Sequence, residues 1–287
     1  MPASDSTLLT RLSGWLHGPT AVRREKLRPV PSPQLGVRRP ITIFLPPGYT
    51  DDRVHPLLVA HDGQEMAAWQ LADALARHHA AGRVTPVVAA VPANHDRHHE
   101  YGTAGQLNAG QLGARAAEFQ AFVTDTVVPL LRRRYQLERG PAQTAVMGAS
   151  LGGLSAFDLA WRRPDVFGVA GLFSGSFWWR TSDASVAAQQ ASRIAHQRVR
   201  ATAVKPPLRL WFQAGTADET EDRDGNGVID AIQDTTELID ELAAKGFRRG
   251  ADVVYRETPG GRHEPATWAR ELPEFLRWAF PAARPSS

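Results

Sequence analysis

The chain has 287 residues, 43% of them hydrophobic, and a formal net charge of +3. That is enough for one large α/β domain, and the charge is too weak to indicate a nucleic-acid partner. There is no cysteine, which excludes a disulfide framework, a thiolate nucleophile and thiolate metal sites. Residues 1–20 lack the basic-then-apolar order of a signal peptide, and no later run approaches membrane-spanning length. The expectation is a soluble, cytoplasmic protein without a membrane partner; nothing in the sequence sets an oligomeric state.

Residues 1–20 form an N-terminal segment in which Leu8, Leu9, Leu12, Trp15 and Leu16 predict a short docking helix, and 21–287 read as a single catalytic domain. Val22 to Val30 and Arg39 to Leu45 predict two antiparallel strands around a proline-rich turn. Pro56 to Ala60 is a short apolar strand running into His61-Asp62-Gly63-Gln64. A helix near 65–80, a strand at 86–91 and a long loop to about 113 follow. Next comes a helix with Phe119, Phe122, Val123, Thr126, Val127 and Leu130 on one face. Strands near 144–147, 166–173, 208–213 and 251–257 alternate with helices after 150 and near 184–200, 230–245 and 265–279. This alternation predicts an α/β fold, a mostly parallel sheet with helices on both faces.

The chain is organised around Gly148-Ala149-Ser150-Leu151-Gly152. An apolar strand precedes Ser150 and a helical repeat follows it, so the serine sits on a strand-to-helix corner. Small flanking residues let such a corner take a strained backbone and lift the hydroxyl above the sheet edge. The helix N-terminus beside it would stabilise a developing oxyanion. A glycine-rich turn that happens to carry serine is the plain alternative.

A serine hydroxyl needs a base to take its proton, and the base needs an acid to orient it. In α/β-hydrolases these follow the serine in the order acid, then histidine, each past a strand end. Asp218 follows the 208–213 strand, with Glu219, Glu221 and Asp222 as competitors for the acid. His263 follows the 251–257 strand and a glycine turn. It is the only one of ten histidines after the acid candidates. The expected oxyanion donors are the N–H groups of Gln64 and Leu151. Phe177, Trp178 and Trp179 follow a strand end on the Ser150 side and are expected either to wall the substrate pocket or to fill core.

Asp222-Arg223-Asp224-Gly225-Asn226-Gly227-Val228-Ile229-Asp230 matches the calcium-loop spacing of alternate oxygen ligands with a glycine turn. Asp222, Asp224, Asn226, the Val228 carbonyl and Asp230 would ligate a structural Ca²⁺, and Gln233 takes the twelfth position where glutamate is usual. A polar turn without an ion is the alternative. No cofactor is expected for the chemistry itself.

The chain resembles the putative-esterase family, which includes enterochelin esterases, feruloyl esterases, esterase D-type hydrolases and mycolyltransferases. The resemblance runs from about Ile41 to Phe280. It rests on Asp62-Gly63-Gln64, Arg97-His98-His99-Glu100-Tyr101, Val128-Pro129 with Tyr135, Gly148 to Gly153, Ser174 to Trp179, Gly215-Thr216-Ala217-Asp218 and Gly260-Gly261-Arg262-His263 with Trp268. It implies the α/β-hydrolase fold, Ser150, Asp218 and His263 as a triad, and Gln64 and Leu151 as the oxyanion hole. Arg262 and the 222–230 insertion depart from the usual pattern. The function implied is a serine carboxylesterase working through an acyl-enzyme on a small-molecule ester, such as a siderophore or hydroxycinnamoyl ester. An acyltransferase and a non-catalytic binding module on the same scaffold are the competing readings.

Overall fold

Eight strands form one sheet, and its central strands are apolar runs buried on both faces, as a parallel sheet covered by helices requires. The computed structural model describes residues 21–93 and 96–282; the expected helix of residues 1–20, and His95, lie outside the described residues.

Four short strands open the described chain: β1 (Arg23–Lys26), β2 (Val30–Ser32), β3 (Val37–Arg39) and β4 (Thr42–Leu45). β1 pairs antiparallel with β4, whereas β2 and β3 make a separate two-stranded hairpin. The two long strands expected here are therefore broken. Pro40 has no N–H for a ladder, so the run from Arg39 to Leu45 splits at that residue.

β5 (Leu57–Ala60) and β6 (Val87–Ala90) follow, then β7 (Thr144–Ala149), β8 (Val169–Phe173), β9 (Arg209–Ala217) and β10 (Val253–Arg262). The sheet order is β1-β4-β6-β5-β7-β8-β9-β10, parallel from β6 to β10. The chain turns back across the sheet after β6, so the ends of β5 and β7 border the switch point where α/β sheets open a crevice.

The helices are α1 (Leu71–Ala80), α2 (Arg97–Glu100), α3 (Ala116–Ala121), α4 (Val128–Arg134), α5 (Leu151–Arg162), α6 (Val186–Ala191), α7 (Ile194–Ala201), α8 (Asp230–Ala244) and α9 (Pro265–Ala279). A π-helical stretch, Phe122–Val127, joins α3 to α4. Pro129 explains it: proline cannot donate to the carbonyl four residues back, and the helix widens locally instead. One face of the sheet is covered around Phe119, Phe157, Leu172 and Phe212, the other around Trp69, Leu75, Trp211 and Phe275, where α1 and α9 contribute Leu75 and Phe275. Among the described residues no helix is long and apolar enough to cross a membrane.

Candidate active site

Ser150 stands between β7 and α5 with φ 58° and ψ −128°. A non-glycine residue in such a region costs about 1–3 kcal/mol and persists only where its surroundings hold it. Here its N–H donates to Phe173 O (3.0 Å) on the neighbouring β8. A Cβ on Gly148 would stand 2.4 Å from Gly152 O, so the tight crossing of strand and helix needs glycine there. The serine Oγ lies 3.5 Å from Ser176 Oγ, a neighbour that sequence reasoning did not single out.

A cavity of about 320 Å³ opens at this corner, lined by Asp62, Gln64, Glu65, Trp69, Arg97, Ala149, Ser150, His263, Pro265 and Trp268. The sheet order explains the convergence, because all these residues lie at or beyond the ends of β5, β7 and β10 or in the segment after β6. Trp69 and Trp268 have ring centroids 5.4 Å apart, and the His263 ring meets Trp268 edge-on at 5.4 Å. Trp268 Nε1 donates to Ser174 Oγ (3.0 Å), which fixes the indole that backs the imidazole.

His263 is exposed at the surface of the cavity, yet the packing around its ring desolvates it enough to push its pKa below the ordinary imidazole value; the Asp218 charge opposes that shift and the Arg97 charge adds to it. The acidic side chain whose charge is felt at the imidazole is thus Asp218, not Glu219. Gly215 N–H donates to its Oδ2 (3.0 Å), while its buried Oδ1 has no partner among the described residues. A Cβ on Gly215 would sit 2.3 Å from Gly261 O, so glycine lets the aspartate turn press against the histidine turn. Glu219, the nearest competitor, differs: burial and the charges of Glu221, Asp230 and Asp234 raise its pKa to about 7. A carboxyl that holds its proton so close to neutrality is the weaker imidazole partner.

Leu151 N–H opens α5 and has no intrahelical acceptor. In the other turn, Gly63 N–H donates to Val91 O (3.0 Å) and Glu65 N–H to Asp62 O (2.8 Å); Gln64 N–H between them makes no backbone bond among the described residues. Both expected oxyanion donors thus flank the Ser150 corner with their N–H groups unspent.

The aromatic segment divides. Phe177 and Trp179 are buried in the core, and only Trp178 is substantially exposed; none of the three lines the cavity. Trp69 and Trp268 are the aromatic walls instead. Arg97 is marked by the sequence only as part of the Arg97-His98-His99-Glu100-Tyr101 motif. It lines the cavity and forks onto Asp62, with Nε to Oδ1 at 2.8 Å and Nη2 to Oδ2 at 2.7 Å.

The 222–230 loop lies beyond Asp218. Asp222 accepts the N–H groups of Asn226 (3.1 Å) and Gly227 (2.8 Å), and Asn226 Oδ1 accepts Val228 N–H (2.8 Å). Asp224 accepts from Gln190 and Gln233, while Asp230 accepts Arg223 N–H and ion-pairs with its guanidinium (3.1 Å). Among the described residues no three His, Cys, Asp or Glu side chains converge on a point that could hold a metal.

Comparison with known proteins bears on this site. The family described as "Putative esterase" matches residues 32–279. The iron(III) enterobactin esterase of Dickeya dadantii is 26% identical over 264 residues, 89% of this chain; the chain spans 55% of that protein's length. The uncharacterized protein YbbA of Bacillus subtilis is 23% identical over 84% of this chain and 92% of its own. Among solved structures, the Shigella flexneri enterobactin esterase, determined in the presence of enterobactin, is similar with TM-score 0.65 at 19% identity, covering 90% of this chain and 60% of that one. A ferulic acid esterase from Anaeromyces mucronatus has TM-score 0.66 at 16% identity and covers 90% of each chain. At such identities the structures show the fold.

Proposed function

Because this chain belongs to the putative esterase family, we propose that its described cavity hydrolyses a small carboxylic ester through an acyl-enzyme formed on Ser150. One observation carries the reading: Ser150, held at a strained strand-to-helix corner, shares its cavity with His263, whose imidazole feels the charge of Asp218. Ser150 Oγ attacks the ester carbonyl as His263 takes its proton. The carbonyl oxygen gains charge against the Gln64 and Leu151 N–H groups, and His263 then protonates the departing alcohol. Water repeats the sequence to release the acid. Asp218 holds the imidazole in the required tautomer.

The two tryptophan walls favour an aromatic acyl group, and a cavity of about 320 Å³ suits one such group rather than a large polyester. Hydroxycinnamoyl and 2,3-dihydroxybenzoyl esters are therefore the proposed substrate class. We also propose that the 222–230 loop takes a structural calcium ion, which would have to draw together carboxylates that loop N–H groups and Arg223 now hold apart; its support is the ligand spacing, and the ion has no part in the chemistry.

The test is hydrolysis of p-nitrophenyl acetate, butyrate, ferulate and 2,3-dihydroxybenzoate by the wild-type chain and by Ser150→Ala. The expected result is turnover favouring the aromatic esters, lost in the variant while the melting temperature holds. Equal turnover by the variant would remove Ser150 from the mechanism.

A further inference from the structure

We propose that Arg97 is a positioning residue of this site, clamping Asp62 and thereby holding Gln64 N–H where an ester oxygen gains charge. The inference rests on the esterase reading above.

Arg97 is the first residue of the four-residue α2, and its place is fixed from below. The buried Arg39–Glu100 ion pair anchors that turn, and Arg39 also donates to Pro92 O (2.9 Å). The Arg97 guanidinium lies over the Tyr101 ring, 5.0 Å from its centroid, and Tyr101 is itself fully buried. Two guanidinium nitrogens are already engaged by Asp62, whose side chain is 10% exposed. A guanidinium meant to grip an anionic substrate would keep its fork free; this one has spent it on the protein.

Asp62 is the point where that grip becomes geometry at the cavity. It has left-handed backbone angles, φ 50° and ψ 48°, and carries the chain from β5 into the Gly63–Glu65 turn. Tyr101 Oη accepts its N–H (2.8 Å), its Oδ1 accepts Gln64 Nε2 (3.1 Å), and its carbonyl accepts Glu65 N–H. Its Oδ2 lies 2.8 Å from where a Cβ on Gly152 would stand, so the carboxylate abuts the first turn of α5. One side chain thus ties the Gln64 turn to the Ser150 elbow, and Arg97 holds that side chain still. Without Arg97, a nearly buried carboxylate loses its cation and the left-handed turn loses its brace.

The experiment measures kcat and KM on an ester that the wild type hydrolyses. Arg97→Gln should lower kcat by about a hundredfold, as loss of one oxyanion donor does, with KM little changed. Arg97→Lys keeps the charge without the fork and should recover part of that loss. Asp62→Asn should match Arg97→Gln, and the double variant should lose no more than either single one. The charged groups facing His263 are Asp218 and Arg97, so Arg97→Gln should also move the acidic limb of kcat/KM to higher pH, which a merely structural defect would not do. If Arg97→Gln fails to fold, Arg97→Lys and Tyr101→Phe decide, each expected to lower kcat at constant KM. Unchanged kcat, a rise in KM confined to anionic esters, or additive losses in the double variant would overturn the proposal while leaving the esterase reading intact. A wild type inert towards every ester would overturn the reading, and the proposal with it.

Discussion

Two loops leave the same edge of the sheet and are held in opposite ways. The corner at 148–153, with the facing turn at 61–65, is set by main-chain packing: glycines pressed against backbone, strained angles at Asp62 and Ser150, and N–H groups assigned one by one. The loop from 218 to 230 is set by side chains. Arg223 and Arg193 both bind Asp234, Arg223 also pairs with Asp230, and Arg193 with Glu237, largely out of solvent. On the proposed mechanism the first arrangement fixes the reacting groups through backbone packing, and the second supplies the carboxylate for the histidine and is otherwise a matter of stability. Changes in the first should therefore appear in rate, and changes in the second in melting temperature.

Asp218 sits on the boundary between the two and offers the largest test. Asp218→Asn should lower kcat by about 10³- to 10⁴-fold, since an amide presents the wrong partner to imidazole. Asp218 raises the His263 pKa, so its loss should also shift the acidic limb of the pH profile to lower pH, opposite to the effect of removing Arg97. Glu219→Gln should leave turnover within a few-fold. The reverse pattern would pass the role to Glu219 and erase the contrast at its boundary.

Arg223→Met sharpens the other side. It strands Asp230 and part of the Asp234 charge, and breaking such a buried pair costs about 3 kcal/mol. Denaturant unfolding should register that loss while kcat at 25 °C stays near wild type. A collapse in kcat with stability unchanged would mean that the loop acts directly on chemistry.

The smallest effect concerns calcium. In protein first stripped with a chelator, millimolar calcium should raise the melting temperature by several degrees, following mass action on a native-state site. Asp224→Ala should abolish the response. An unchanged melting temperature in the wild type would leave the loop as a polar turn held by Arg223.

The contrast also explains what was legible in the sequence. The Ser150 corner could be read because its cause is local: strand, small residues, helix, all within about twenty positions. His263 and Asp218 were legible as residues following strand ends, although β10 runs on to Arg262 through its glycine turn, further than periodicity suggested. Arg97 was not legible as a clamp. It lies in a polar stretch, and its partner is thirty-five residues earlier, joined to it only when β5 and β6 pair. Phe177 and Trp179 stayed open between the two roles in the sequence, because bulk alone does not tell a pocket wall from a core filler. Gly175 lets the Phe177 ring fold back over the backbone, within 2.5 Å of where a Cβ would be, and the ring goes inward. Trp69 and Trp268, far apart in sequence, take the wall role because α1 packs against α9.

The most direct measurement of the central claim is covalent trapping at the corner itself. Wild-type protein treated with a fluorophosphonate and analysed by intact mass and peptide mapping should carry one adduct, on Ser150. The adduct should be absent from Ser150→Ala and should form far more slowly in His263→Ala. An adduct on another residue, or labelling of Ser150→Ala at the wild-type rate, would contradict the account.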